Sequence, residues 1–417
     1  MVVKPSDLGL VSADLQLIVG RAFGESILHF AIQHAWIEPF GGSPDGFLAD
    51  HLALKILLTL NGSRNEELSL FVKVIPTANA TLAGYLVEIG SFRKEIALCE
   101  QIIPKIRQLI PGEQFVPKYL LTKEDRLIVM ENVKLQGYDI LKGNNGLMDY
   151  DHLKKAFEAL AHMHAGSILL EERESKGLME LYPDALKENA WTGIEGAIRT
   201  RDVENVIVLW CEFFRVVERN SSRLAEIIAA LPGVIRSMYG YVKSSTVWRN
   251  VFSHGDLWSN NVMFKHSSSG APEGCILVDF QLSRYTPPAY DLNMLLSLTS
   301  MYEFRSKHMS SLLDHYYEVF AGHLTTNGID PASIYSKQSF IESCQYYRRA
   351  GQIHGCIIAP EVLLGQSYLD EVFVLSESCA GFMPPPKVKI CLRAFQTDVV
   401  YRDRLLDMIQ ELLPVSA

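Results

Sequence analysis

Apolar and polar positions alternate in two early stretches, HLALKILLTL and LSLFVKVIP, which flank the polar turn NGSRNEE. A period of two bounded by turn residues predicts a pair of strands. In the second, Phe71, Lys73 and Ile75 fall on one face, so a lysine points the same way as two apolar side chains. Upstream, residues 14 to 36 mix a short amphipathic segment with the apolar run ILHFAIQHAWI. FGGSPDGF then breaks the periodicity and reads as a loop between strands. Downstream the period lengthens. Phe92, Ile96, Cys99 and Ile103 recur at helical spacing in FRKEIALCEQII, with Ser91 as the expected cap, Pro104 as the expected end and Glu95 beside the apolar stripe. RLIVMENV, Arg126 to Val133, is a further apolar strand running into polar residues.

Past that strand, helical patterns dominate. Asp151 is the expected cap of HLKKAFEALAHMHA, whose Leu153, Phe157, Leu160 and His164 share one face. Further helices are expected around 203 to 230, 288 to 300, 306 to 322, 335 to 350 and 400 to 413. FMPPPKV, with three prolines, is expected to be an extended connector. This change of period predicts an α+β chain: a small N-terminal antiparallel sheet lobe over residues 1–132 and a larger, mainly helical lobe over 133–417. No internal repeat is visible.

Composition changes the picture little, except by exclusion. With 417 residues, 48% hydrophobic and 21% charged, the chain is ordinary globular material with length for two cores. A net charge of -9 argues against a broad basic field for nucleic acid or an anionic membrane. Seven scattered cysteines without a C-x-x-C pair suggest neither a zinc site nor a disulfide framework, and fit a reducing compartment. No window approaches the apolar length of a membrane span, and the N-terminus lacks a leader pattern, so a soluble, cytoplasmic protein is the expectation.

The candidate chemistry is concentrated in SHGDLWSNNVMF, Ser253 to Phe264, where His254, Asp256 and Asn261 are spaced H-x-D-x-x-x-x-N between strand-like segments. After a Ser- and Gly-rich turn, the apolar strand CILVDFQ ends in Asp279. A hairpin here would bring Asn261 and Asp279 to one edge, offering the few hard oxygen ligands that suit Mg²⁺. Asp256, a few residues away, is placed to accept a proton from a hydroxyl attacking a phosphoryl group, the layout of phosphoryl transfer in protein kinases. Any one of these residues alone is more ordinarily a turn former. Their combination carries the argument.

Lys73 on an apolar face needs an anion, and Glu95 beside an apolar stripe needs a cation; such a pair orients ATP phosphates in kinases. A lysine snorkelling from an edge strand is the plainer alternative. The Glu131 carbonyl and Val133 N–H are available to an adenine edge, as they are at any strand end. GGSPDG is a candidate phosphate loop. His164, on an apolar helix face, reads as a buried anchor, and Asp291, at the start of AYDLNMLL, as a helix cap or a brace for the catalytic loop.

FRKEIALCEQIIP, LIVMENV, LAHMHA, SHGDLWSNNVMF and VDFQLSRYTPPAYDL together resemble the ecdysteroid kinase-like family, small-molecule kinases related to choline and aminoglycoside kinases and distantly to protein kinases. The resemblance implies a bilobal protein-kinase-like fold, Asp256 as catalytic base, Asn261 and Asp279 on Mg²⁺, and Lys73 with Glu95 orienting ATP. It also implies a steroid or xenobiotic alcohol as acceptor, in hormone phosphorylation or detoxification. Phe47, Leu48, Ala49 and Asp50 replace the Asn-Tyr-Ala-Ser usual after the phosphate-loop glycine, Cys99 stands for an aromatic, and Asn132 for an aspartate. Asp279 and Asp291 are too close for a long peptide-docking segment, which favours a small acceptor. Two other readings stand beside this one: a choline- or aminoglycoside-like kinase, and a pseudokinase that binds nucleotide or ligand without turnover. The second-lobe aromatics Trp191, Tyr239, Tyr241, Tyr302, Phe304, Tyr346 and Tyr347 are expected to be core rather than pocket.

Overall fold

The computed structural model describes residues 3–24, 29–41, 49–61, 64–76, 78–219, 221–376 and 381–413. The two period-two stretches are β2 (Asp50–Leu60) and β3 (Arg64–Val74) of a five-stranded antiparallel sheet completed by β1 (Phe30–Pro39), β4 (Tyr119–Lys123) and β5 (Leu127–Glu131), in the order β1-β2-β3-β5-β4. β3 is the middle strand. Lys73 therefore lies opposite His51 of β2 and Ile128 of β5, with no edge from which to snorkel. One sheet face packs on α1 (Ser12–Phe23), whose Ile18 and Val19 join Leu54, Ile56, Leu70, Val72 and Val129 in a closed apolar layer.

Between β3 and β4 run α2 (Ala80–Ile89), α3 (Ser91–Gln101) and α4 (Ile103–Leu109). Two expectations are corrected here. Ser91 is the first residue of α3 rather than its cap, which is Gly90 in the left-handed region, and the Ser91 hydroxyl donates back to the Leu86 carbonyl at 3.4 Å. Pro104 opens α4 instead of closing α3, because an early helical position needs no N–H from it. Ile89, Phe92, Ile103 and Ile106 belong to the large apolar cluster that also holds Leu160 and Ile168, whereas Ile96 meets the sheet through Ile128 and Met130. The helix that carries Glu95 thus rests mainly on the helical region.

That region begins with β6 (Tyr138–Ile140) and α5 (Tyr150–Glu174). Asp149, not Asp151, caps α5: its carboxylate accepts from the His152 N–H at 3.0 Å, and Asp151 lies in the first turn. Short α6 (Leu178–Leu181) and α7 (Pro183–Leu186) lead to α8 (Ile198–Val217), α9 (Leu224–Arg236) and α10 (Met238–Tyr241), so the helix expected over 203 to 230 is two helices. β7 (Val251–Ser253), β8 (Val262–His266), β9 (Pro272–Leu277) and β10 (Arg284–Thr286) follow, giving a β6-β8-β9 sheet and a β7-β10 pair. The rest is α11 (Pro288–Thr299), α12 (Tyr302–Thr326), α13 (Pro331–Tyr335), α14 (Lys337–Val362), α15 (Gln366–Ser376), α16 (Pro385–Thr397) and α17 (Val399–Ile409). FMPPPKV is not wholly extended. Its last prolines occupy the first turn of α16, where a fixed φ favours the helix. The architecture is α+β, with a five-stranded antiparallel sheet near the N-terminus and a larger helical part.

Candidate active site

A cavity of about 180 Å³ opens where the uncovered face of the sheet meets the helical region. Its lining brings together Lys73, Glu95, Asp256, Asn261 and Asp279, with Glu131 and Val133 at the strand end. Residues more than two hundred positions apart in the chain therefore share one space.

Lys73 is 5% exposed, and its ammonium donates to Glu95 Oε2 at 2.7 Å and to Asp279 Oδ1 at 2.9 Å. Burial alone lowers a lysine pKa; the charges of Asp279 and Glu95 more than offset it and hold Lys73 above its ordinary value. Asp279 projects from the end of β9 with a positive φ of 68°, a conformation costly for any residue with a side chain. The sequence-predicted hairpin is present as β8 and β9, with Val262 opposite Leu277, and the Val278 N–H closes it on the Asn261 carbonyl at 3.1 Å.

The loop after β7 is held from behind. Asp291, fully buried at the start of α11, accepts from the His254 N–H at 2.6 Å and the Gly255 N–H at 3.0 Å, and lies 3.2 Å from His164 Nε2. Burial raises a carboxyl pKa, yet His164, His254 and these N–H groups hold Asp291 below its ordinary value. The side chain of Asp291 serves the loop and caps nothing on its own helix. His164 Nδ1 meets the Tyr316 hydroxyl at 2.8 Å, which fixes the ring from both sides. His254 spans the loop: Nε2 donates to the Val278 carbonyl at 2.9 Å, while Nδ1 faces the Asp256 N–H at 3.3 Å. Burial lowers its pKa, so the ring is neutral, as that pairing requires. Gly255 has φ +77°, and a Cβ there would sit 2.2 Å from the Leu282 carbonyl oxygen. Only glycine fits.

Asp256 is 8% exposed, and burial followed by the charge of Asp279 pushes its carboxyl up to about 7. Two carboxylates facing one cavity leave a deficit of positive charge that Lys73 only partly fills. The donor set fits Mg²⁺. Asn261 Nδ2 donates to the Asp256 carbonyl at 2.7 Å, which turns the amide oxygen away from that bond, and among the described residues the partner of Asp279 Oδ2 is Gln281 Nε2 at 3.5 Å. Among the described residues no group of three or more His, Cys, Asp or Glu side chains is placed to hold a metal, so any ion here takes further oxygens from substrate and water.

At the strand end, the Glu131 carboxylate is engaged by the Lys118 N–H at 2.6 Å and by Gln136 Nε2 at 2.9 Å, leaving main-chain groups as what it can offer a ligand. The candidate phosphate loop, beyond Gly41, lies outside the described residues. Of the seven second-lobe aromatics, none lines the cavity. Trp258 and Asn260 do line it. Periodicity and motif spacing missed Phe40, His51, Arg199, Glu361 and Phe382, which also line it. Phe40 meets Phe71 edge to face at 4.8 Å, an aromatic roof that no local pattern signalled.

The chain belongs to the ecdysteroid kinase-like family, whose model matches residues 44–329. No curated protein matches it. Among solved structures it is similar to the GDP and kanamycin complex of APH(2")-IIia, at 13% identity and TM-score 0.36, over 95% of this chain and 96% of that one. It is also similar to a choline/ethanolamine kinase family protein from Mesorhizobium loti, at 12% identity and TM-score 0.36, over 95% and 98%. A microcompartment-associated aminopropanol kinase matches at 11% identity and TM-score 0.29, over 90% and 95%. Among the described residues, no helix is long and apolar enough to cross a membrane.

Proposed function

We propose that this member of the ecdysteroid kinase-like family is an ATP- and Mg²⁺-dependent phosphotransferase that moves the γ-phosphoryl group to a hydroxyl of a small alcohol, with a steroid or xenobiotic alcohol as acceptor. One observation carries the reading: Lys73, Glu95 and Asp279 form a continuous buried ion cluster in the same cavity as Asp256 and Asn261. An ion cluster of that kind is costly to bury and is retained where function requires it.

In this mechanism Asp256 accepts the proton of the attacking hydroxyl, for which a carboxyl poised near neutrality is suited. Lys73, fixed by Glu95, binds phosphate oxygens. Asn261 and Asp279 would hold Mg²⁺, which supplies charge neutralisation at the transferring phosphoryl group. His254 and Asp291 hold the loop so that the base does not swing, a positioning role. Glu131 and Val133 offer the adenine their main-chain groups.

The test is incubation with ATP, Mg²⁺ and a panel of steroid and cationic alcohols, with phosphorylated products read by mass spectrometry. Product from a neutral alcohol that disappears in Asp256→Asn supports the reading. Nucleotide binding with no product from any acceptor would favour a pseudokinase, and product from cationic alcohols alone a choline-like kinase.

A further inference from the structure

The cavity lining contains a second buried cation that the reaction above does not use. Arg199, in the first turn of α8, is 4% exposed and lines the cavity together with Asp256. Its guanidinium is stacked among three rings, 5.4 Å from Tyr85, 5.2 Å from Trp191 and 5.2 Å from Phe382. Yet it has no hydrogen-bond acceptor among the described residues, and its Nε is both buried and unpartnered. A guanidinium carries five N–H donors, and burying them without acceptors is expensive.

The neighbouring acids are engaged at every carboxylate oxygen but one, Glu361 Oε2, which is buried without a partner. Asp202 spends its two carboxylate oxygens on the N–H groups of Phe382 and Met383, each at 2.8 Å. Glu361 Oε1 accepts from Lys387 Nζ at 2.8 Å. The surrounding wall is apolar, from Leu282, Ile358, Val362 and Phe382. Arg199 and Lys387 balance Asp202 and Glu361, so this end has no net charge with which to attract an ion. The Phe382 ring is also occupied, by Arg199 and by Lys387 at 5.9 Å, which leaves it poorly suited to hold an ammonium ligand.

We propose that Arg199 anchors the acceptor by donating to an oxygen of a neutral, largely apolar alcohol, remote from the hydroxyl that Asp256 activates. This rests on the phosphotransfer reading for the position of the reacting hydroxyl. The rings clamp the guanidinium before the acceptor arrives, so little side-chain freedom is lost on binding. Specificity follows from the unmet donors: an acceptor lacking the remote oxygen leaves them unpaired, and discrimination against it is large.

The experiment pairs a neutral steroid diol with its counterpart lacking the remote hydroxyl, and adds choline as a cationic probe. On the wild-type chain the diol is expected to show the lowest KM. Arg199→Met, which keeps bulk but removes the donors, is expected to raise the diol KM by about 10- to 100-fold, the loss of a hydrogen bond to a charged group, and to erase the preference over the counterpart, with the ATP KM unmoved. Arg199→Lys is expected to recover part of it. Equal wild-type KM values for the two steroids, or a preference for choline, would overturn the inference. So would a rise in ATP KM with the diol KM unchanged, which would place Arg199 on the phosphates. Titration of the same probes into Asp256→Asn protein gives the same comparison by binding alone. If no acceptor is phosphorylated, the phosphotransfer reading fails while this binding arm still decides the role of Arg199.

Discussion

The loop from His254 to Asn261 and the wall formed by Arg199, Glu361 and Phe382 face the same cavity but are built on opposite terms. The loop is hydrogen-bonded throughout: Asp291 behind it, His254 across it and Asn261 folded onto it leave Asp256 as the group turned to other work. The wall has charged side chains whose hydrogen bonding is incomplete, with Arg199 Nε and Glu361 Oε2 both buried without a partner. A satisfied network fixes geometry, and an unsatisfied one waits for a ligand. On the proposals above, the loop would carry the phosphoryl chemistry and the wall the choice of acceptor.

The sharpest way to break this comparison is at the base. Asp256→Asn is expected to lower kcat by about 10²- to 10⁴-fold, the usual worth of a general base. Thermal melting should hold or rise, because the substitution removes a carboxylate that burial and Asp279 disfavour. Steady-state rates and a melting curve on one preparation check both.

The wall should respond through stability instead. Lys387 and Glu361 are 5% and 4% exposed, so Lys387→Met strands a buried carboxylate and is expected to cost about 3–5 kcal/mol in urea unfolding. An unchanged midpoint would show that the wall does not depend on this pair.

Between these lies Gly255→Ala. The backbone conformation and the Leu282 carbonyl both oppose a Cβ, so a loss of at least about 1 kcal/mol is expected, with kcat reduced more than the KM for ATP. A variant as stable and active as the parent would mean that the loop has slack.

The smallest effect concerns pH. Glu188 accepts from Arg284 Nε at 3.0 Å and from the Ala190 and Trp191 N–H groups. Burial raises its carboxyl pKa, but Arg284, Lys94 and those N–H groups more than offset this, so the folded value lies below the ordinary 4.5. Its contribution to stability is then complete above 4.5 and lost as pH falls through the lower folded value. Glu188→Gln should flatten that part of the acid-side decline in unfolding free energy and leave the curve near pH 7 parallel to the parent's.

Legibility from sequence follows the same division. β2, β3, β5, α11 and the hairpin that ends in Asp279 are readable because period and turn chemistry are local, whereas β4 carries no such pattern and β1 reads only as an apolar run. Helix ends are less legible: Asp149 and Asp151 are equally good caps by residue type, and nothing local shows that α3 starts from Gly90 in the left-handed region rather than from a Ser91 cap. The residues of the loop were readable as a set because the chain supplies them within a few positions. Arg199, Glu361 and Phe382 come from α8, α14 and the turn before α16, and nothing in their own neighbourhoods distinguishes them from surface charge and core aromatics. Only tertiary packing brings them together.

α3 is also tied to the segment that leads into α8. Lys94, adjacent to Glu95, donates to the Lys187 carbonyl at 2.7 Å and to Asn189 Oδ1 at 3.1 Å, while Asn189 Nδ2 reaches back to the Ile89 carbonyl at 3.1 Å. α3 is thereby stapled to the segment between α7 and α8, so Glu95 is placed by the helical region while its partner Lys73 is placed by the sheet.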